Sequence, residues 1–328
     1  MRAVVLDQPG AELRVDPDFP DPVPAPGEVL VRVAACAINY LDVWVRKGLD
    51  RAGPFPHVCG SDVAGTVADT GRRVLVHPGI SCGRCHRCRS GRDSICPGHK
   101  VLGVEIQGGY AELVAVPEGN LFDVPEGWSD EEAAAFPLTF VTAWHGLAGA
   151  VSPATDVLVW GATGGLGVAA VQVARALGAR VAAATSDPAK ADRLEAVGPT
   201  DVYAGTPQEV AGRVLGDIGG VDVVVDPLGG GVWEATRRVL RPGGLIASAG
   251  DTAGSTVPLD LPWLFLGERR IAGVYLGGVA EFHEVLGMAR RGLLRPVVGA
   301  VVPLEDVARA HRMIEDRQHF GKVVLRVA

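Results

Sequence analysis

Four cysteines, Cys82, Cys85, Cys88 and Cys96, follow one another with the spacing C-x2-C-x2-C-x7-C. Thiolates so spaced on tight turns can close a tetrahedral zinc shell with Zn–S near ~2.3 Å. A shell of four thiolates leaves no position for a substrate, so a zinc held there is structural. An iron–sulfur cluster fits less well, because the bacterial run has only three residues before its last cysteine. The spacing therefore predicts one structural zinc in a lobe at 82–96. The lobe also carries Arg84, His86, Arg87, Arg89, Arg92 and Lys100, which raises a second reading, a zinc ribbon that grips nucleic acid. Few aromatic residues are interleaved to stack on bases, and the chain has a formal net charge of −7. A solvated basic loop is the expected outcome, with no nucleic-acid partner.

A second constellation binds rather than braces. Val157-Leu158-Val159-Trp160 runs into Gly161-Ala162-Thr163-Gly164-Gly165-Leu166-Gly167. A glycine turn between a strand and a helix brings backbone N–H groups to a pyrophosphate, and the helix N-terminus adds partial positive charge. A loose glycine pattern is weak alone. Followed by a second strand from Arg180, it becomes specific for a dinucleotide. The tip of that second strand is the neutral Thr185, where an NAD site usually has an acid for the ribose hydroxyls. Ser186 can hydrogen-bond a 2′-phosphate and Lys190 can pair with it, so the loop predicts NADP(H). Asp187 opposes this reading if its carboxylate faces the phosphate. Gly250 and Gly277, which follow later apolar strands, complete the cofactor candidates.

Elements must position these groups. The first 125 residues hold short β patterns broken by Pro and Gly, with Val29, Val31, Val33 and Ala35 alternating within Gly27–Ala37; they predict a barrel-like β domain. From Asp130 the texture changes. Acids in the first turn open a helix. Apolar strands are expected at Asp156–Gly161, Arg180–Thr185, Val221–Asp226, Leu245–Ala249 and Ile271–Leu276, with helices at Gly165–Leu177 and Pro188–Val197. Continuous apolar strands spaced by amphipathic helices predict a parallel sheet covered on both faces. The expected fold is α/β, with domains at 1–125 and 126–291 and a return of 292–328 to the first domain. The hydrophobic content of 48% permits large cores. No signal peptide is legible at the start, and glycines interrupt the uncharged stretch from Val157 to Ala174, so a cytoplasmic chain without a membrane partner is expected.

Together the pieces resemble the quinone oxidoreductase and zinc-containing alcohol dehydrogenase branches of the medium-chain dehydrogenase/reductase superfamily. The resemblance rests on Ala37-Ile38-Asn39-Tyr40-Leu41-Asp42, Gly60-Ser61-Asp62-Val63-Ala64-Gly65, the cysteine lobe, Gly108-Gly109-Tyr110-Ala111-Glu112, the glycine run and Phe320-Gly321-Lys322-Val323-Val324. It implies a GroES-like β-barrel domain, a Rossmann doubly wound sheet and a nicotinamide site in the cleft between them. Catalytic-zinc members ligate the metal at positions that match Asn39, Ser61 and a residue near Leu138, none a match for the usual ligands, and Leu41 replaces their proton-relay hydroxyl. A displaced metal would have to recruit Cys36, His57, Cys59, Asp62 or Glu105. The resemblance instead implies reduction of quinones or activated C=C (enone) substrates by NADPH, with Asn39 near the nicotinamide. Tyr40 is a candidate donor, Asp42 a loop-orienting carboxylate, Asp62 a further catalytic candidate, and Thr142 a cofactor contact. A small-molecule quinone, enone or carbonyl substrate and a homodimer formed at the edge strand complete the expectation. Zinc-dependent alcohol oxidation is the alternative.

Overall fold

The computed structural model of the chain describes residues 1–327. They form two units, one of residues 1–141 and 276–327, the other Thr142–Tyr275. These divisions differ from breaks at 125 and 291. Residues Asp130–Ala134 pack on the strands Glu28–Ala37 and Asp62–Val67, so the stretch after 125 belongs physically to the β unit.

In the first unit, the long strand Glu28–Ala37 is central. Its alternation holds from Val31 to Ala35, with Arg32 exposed between buried Val31 and Val33. The register then shifts opposite Asp62–Val67 between Val33 and Ala35. That irregularity lets Ala35, Cys36 and Ala37 all be buried and turns the chain toward Asn39. The sheet runs Val298–Pro303, Lys322–Arg326, Glu28–Ala37, Asp62–Val67, Arg73–Val76, Leu121–Asp123, and Leu113–Pro117 also pairs with Glu28–Ala37. The C-terminal strand sets Val324 opposite Ala37, and Ile38 N–H donates to Val323 O at 2.9 Å. Residues near positions 39 and 322 are thereby fixed to one another by backbone.

The second unit is a six-stranded parallel sheet in the order Asp201–Ala204, Arg180–Thr185, Asp156–Val159, Val221–Asp226, Leu240–Ser248, Arg270–Gly273. The first strand in the chain is central, so the winding reverses beside it. Ligands of such sheets bind at that switch point, outside the carboxyl ends of the strands. One side of the sheet buries Leu158, Tyr203, Val224, Trp233 and Ile246 in a continuous core.

Three element expectations change. The helix expected at Pro188–Val197 is a short 3-10 turn, Pro188–Lys190, and then a helix Ala191–Glu195, because Asp187 caps the turn through Ala189 N–H at 3.0 Å. The strand Leu240–Ser248 starts earlier than Leu245. The last strand is Arg270–Gly273 and stops before Leu276, whose φ of +52° is incompatible with a strand. Among the described residues, no helix is long and apolar enough to cross a membrane.

Candidate active site

The polar centre of the first unit is built where Glu28–Ala37 ends and the helix Tyr40–Lys47 begins. Asn39 is the helix N-cap, and its backbone N–H donates to Asp42 Oδ2 at 2.7 Å. Gly60 N–H donates to Asp42 Oδ1 at 3.0 Å, so one buried carboxylate ties both loops together. Burial pushes the Asp42 carboxyl up to about 6, against the pull of these N–H groups. Asp62 is also fully buried. Its Oδ1 accepts from Leu138 N–H at 2.7 Å, and its Oδ2 accepts from Asn39 Nδ2 at 2.9 Å and Lys322 Nζ at 2.9 Å. Lys322 Nζ also donates to Asn39 Oδ1 at 2.6 Å. Asn39, Asp62 and Lys322 thus close a three-membered ring of hydrogen bonds. Tyr40 is half-buried with its ring edge on Trp44 at 5.3 Å. The Ser61 hydroxyl is buried and has no hydrogen-bond partner among the described residues.

These contacts decide whether a metal fits there. Asn39 and Leu138 offer no thiolate or imidazole, and both carboxylate oxygens of Asp62 are occupied by N–H donors. Nor do the displaced candidates converge. His57 Nε2 faces Gly103 O at 3.0 Å, Glu105 pairs with Arg51, and burial pushes the Cys36 and Cys59 thiols well up. Among the described residues, the one group of donors arranged for a metal is Cys82, Cys85, Cys88 and Cys96. The donor set at Asn39 does not fit a catalytic zinc.

The cysteine lobe does fit a structural zinc. Its four sulfurs lie within 4.8 Å of one another, with separations of 3.5, 3.8 and 3.9 Å for three of the pairs. A tetrahedron with Zn–S near ~2.3 Å has edges of about 3.8 Å. Backbone N–H groups of Arg84 and Cys85 pull the Cys82 thiol down to about 6, and Gly98 N–H donates to Cys96 Sγ at 3.3 Å. The lobe is anchored through Asp93, which accepts from Ser81 Oγ through its carbonyl at 2.7 Å and from Val279 N–H through its carboxylate at 3.1 Å. Gly277, a cofactor candidate, lies two residues before Val279, and its carbonyl faces His77 Nε2 at 3.2 Å.

In the second unit, the glycine run sits at the carboxyl end of Asp156–Val159. Gly161 has φ +57°, and Gly164 caps the helix Gly165–Ala176, which leaves its first N–H groups for a ligand. A Cβ on Gly167 would lie 2.2 Å from Gly161 O, so glycine alone allows the helix so close to the strand. Thr185 ends the second strand, and its hydroxyl accepts from Asp187 N–H at 3.1 Å. Asp187 does not stand apart as a repelling charge. Its carboxylate caps Ala189 N–H and lies 3.7 Å from Lys190 Nζ. Gly250 lies beyond the end of Leu240–Ser248, where a Cβ would meet Pro227 O at 2.6 Å. Leu166 opens the helix beside Gly165, Ser186 lies exposed past the strand tip, and Thr142 is buried at the start of this unit.

Residues 25–126 match the alcohol dehydrogenase GroES-like domain, and residues 197–325 match the zinc-binding dehydrogenase family. Acryloyl-coenzyme A reductase of Metallosphaera sedula is 30% identical over 99% of this chain and 99% of its own length. The chain is a medium-chain dehydrogenase/reductase. Two solved relatives of this superfamily agree over the whole chain. An NAD-dependent alcohol dehydrogenase superposes with a TM-score of 0.94 at 41% identity, covering 100% of each chain. A cobalt- and zinc-bound thermostable alcohol dehydrogenase from Pyrobaculum aerophilum gives 0.91 at 33%, covering 100% of this chain and 99% of its own.

Within this medium-chain dehydrogenase/reductase, the sequence signals brought together Asn39, Asp42 and Asp62 but missed Lys322. Lys322 was visible only inside Phe320-Gly321-Lys322-Val323-Val324, where a lone lysine in a strand reads as a surface charge. The Leu138 N–H was also missed, since backbone donors carry no side-chain signature. In the sequence Asp226 marks only a strand end. It is buried at the switch point and accepts from Leu228 and Gly229 N–H at 2.8 and 2.9 Å.

Proposed function

We propose that this chain uses NADPH to reduce a carbon–carbon double bond conjugated to a carbonyl, with enoyl thioesters, enones and quinones as its substrate class. The observation that carries this reading is the Asn39–Asp62–Lys322 ring, which commits to internal hydrogen bonds the groups that would otherwise surround a Lewis-acidic metal. Without such a metal, an alkoxide has no strong stabiliser. A conjugated substrate needs less, because charge that develops on hydride addition spreads to a carbonyl oxygen and N–H or O–H donors can hold it. The acryloyl-coenzyme A reductase relative supports the thioester branch.

When bound, the nicotinamide supplies a hydride to the electron-poor carbon. The chain's own groups bind and orient. The N-terminus of Gly165–Ala176 and the turn Gly161, Gly164, Gly165, Leu166, Gly167 hold the pyrophosphate, with Thr142, Gly250 and Gly277 as further contacts. Thr185, Ser186 and Lys190 receive the 2′-phosphate. Asn39 has one Nδ2–H left to donate, and Tyr40 is the candidate proton donor. Asp42 and Asp62 hold the Asn39 loop in place. Cys82, Cys85, Cys88 and Cys96 would hold one structural zinc.

We also propose a cytoplasmic homodimer. Arg270–Gly273 is the sheet edge with all four residues exposed, and Leu261, Phe265 and Leu266 beside it in sequence are 59%, 64% and 76% exposed. A second copy pairing along that edge would cover both features. The functional reading is tested by steady-state assays with acryloyl-CoA, crotonyl-CoA, a simple enone and benzoquinone plus NADPH, beside primary alcohols plus NADP⁺ or NAD⁺. Turnover of alcohols alone would leave zinc-type alcohol dehydrogenation as the activity.

A further inference from the structure

The chain has four lysines, Lys47, Lys100, Lys190 and Lys322, and Lys322 is the buried one, 3% exposed. Its ammonium meets a fully buried carboxylate and the carbonyl of an asparagine that is itself 7% exposed. The parallel pairing with Val298–Pro303 and the antiparallel pairing with Glu28–Ala37 hold the strand of Lys322 on both sides. The bond from Ile38 N–H to Val323 O fixes the neighbouring loop.

This arrangement decides which way the Asn39 amide faces. With Oδ1 toward Lys322 and Nδ2 toward Asp62, every contact joins a donor to an acceptor. The reversed amide would set its NH2 group against the ammonium and its carbonyl against the carboxylate, and both contacts would be repulsive. We propose that Lys322 is a positioning residue, a built-in cation that locks the Asn39 amide with its carbonyl inward and leaves one Nδ2–H as a fixed donor at the hydride site. The proposal rests on the reading of Asn39 as a residue of that site. Asp62 opposes the reversed amide from the Nδ2 side, and Lys322 opposes it from the Oδ1 side. Asp62 alone would orient Nδ2, but a single carboxylate leaves Oδ1 unheld. An ammonium suits this place because it donates from one point in several directions, where a guanidinium would need a planar slot.

Composition supplies an unusually clean test. The chain has only two asparagines, Asn39 and Asn120, both buried. Asn120 Nδ2 donates to His77 O and Gly79 O, each at 2.8 Å, remote in sequence from Lys322. With 15N-asparagine labelling, the full chain gives two side-chain amide pairs, and Asn120 reports whether the fold is intact. In the wild type, both pairs exchange slowly with solvent. In Lys322→Met, the Asn39 pair is expected to exchange about tenfold to hundredfold faster while Asn120 is unchanged, the range expected for losing a hydrogen bond to a charge. Should the unpaired Asp62 prevent folding, Lys322→Met/Asp62→Asn is compared with Asp62→Asn alone, and faster Asn39 exchange in the double variant than in the single one is the part due to Lys322, whereas equal exchange overturns the proposal. Unchanged protection of Asn39 in a folded variant overturns the proposal.

Kinetics give the second arm. Lys322→Met is expected to lower kcat for alkene reduction by a similar factor without changing NADPH affinity, and Lys322→Arg to recover part of it. Added to Asn39→Ala, Lys322→Met costs nothing further, since it acts through that side chain. Losses that multiply would overturn the proposal. If the wild type reduces no activated alkene, the functional reading falls, while the labelled amides still decide the role of Lys322.

Discussion

A 2′-phosphate arriving at the end of Arg180–Thr185 would meet a neutral tip, an exposed Ser186 and Lys190, which has Asp187 among its partners at 3.7 Å. A partly exposed pair of that length is worth at most about 1 kcal/mol, so the contact with Asp187 opposes a phosphate only weakly. NADPH should therefore bind at least about tenfold more tightly than NADH, and Lys190→Ala should remove most of that preference. Equal affinities in the wild type, measured by fluorescence titration, would contradict this. The residue types of this loop can be read in the sequence because a strand tip speaks directly to charge. The direction of the Asp187 carboxylate cannot, because capping depends on where the next turn places Ala189 N–H. Lys322 was hidden for a related reason: its partners lie 260 and 283 positions away, and only strand pairing brings them to it.

At the scale of elements, the close approach of Gly165–Ala176 to its strand makes a sharp prediction. In Gly167→Ala the added methyl meets the Gly161 carbonyl at 2.2 Å, so the helix must retreat from the turn it supports. Dinucleotide affinity should fall by at least about tenfold, with a stability loss of about 1–3 kcal/mol typical of overpacking. Calorimetric titration of the cofactor reads the first and urea unfolding the second. The cysteine lobe is tied to the stretch after Gly277 by the bond from Val279 N–H to Asp93. With the proposed zinc bound there, chelating it should expose 82–96 to proteolysis and raise hydrogen exchange at the Val279 amide. A protein that keeps both protections after complete zinc loss would show that the thiols do not organise the lobe. Most strands were legible because both-face burial leaves unbroken apolar runs. The turn at Pro188 and the strand end before Leu276 were not, since a side-chain cap and a positive φ override local pattern.

Over the whole molecule, buried titratable groups set how stability follows pH. Burial pushes His77 and His311 down to about 4 from an ordinary 6.5. Their contribution is complete above pH 6.5 and is lost as pH falls toward 4, because the unfolded chain then binds protons that the folded chain refuses; each shift corresponds to about 3 kcal/mol. Asp42 acts in the opposite sense. Raised from 3.8 to about 6, it favours the folded state as pH falls through that range, offsetting about one histidine. Burial also lowers His57 and His99 and raises Asp226, so the depressed histidines outnumber the raised carboxyls and stability falls on acidification from pH 6.5 to 4. His311→Gln, which can keep a partner for Tyr110, should flatten that slope in urea unfolding series. An unchanged slope would mean that His311 is not neutral in the folded chain. The account as a whole stands on a hydride site that works with no metal beside Asn39. The most direct measurement is NADPH-dependent reduction of acryloyl-CoA by chelator-washed protein, with zinc counted on the same sample. Sustained turnover at one zinc per chain is the predicted result. Activity that appears only when a second zinc is bound, or only with alcohols, would contradict it.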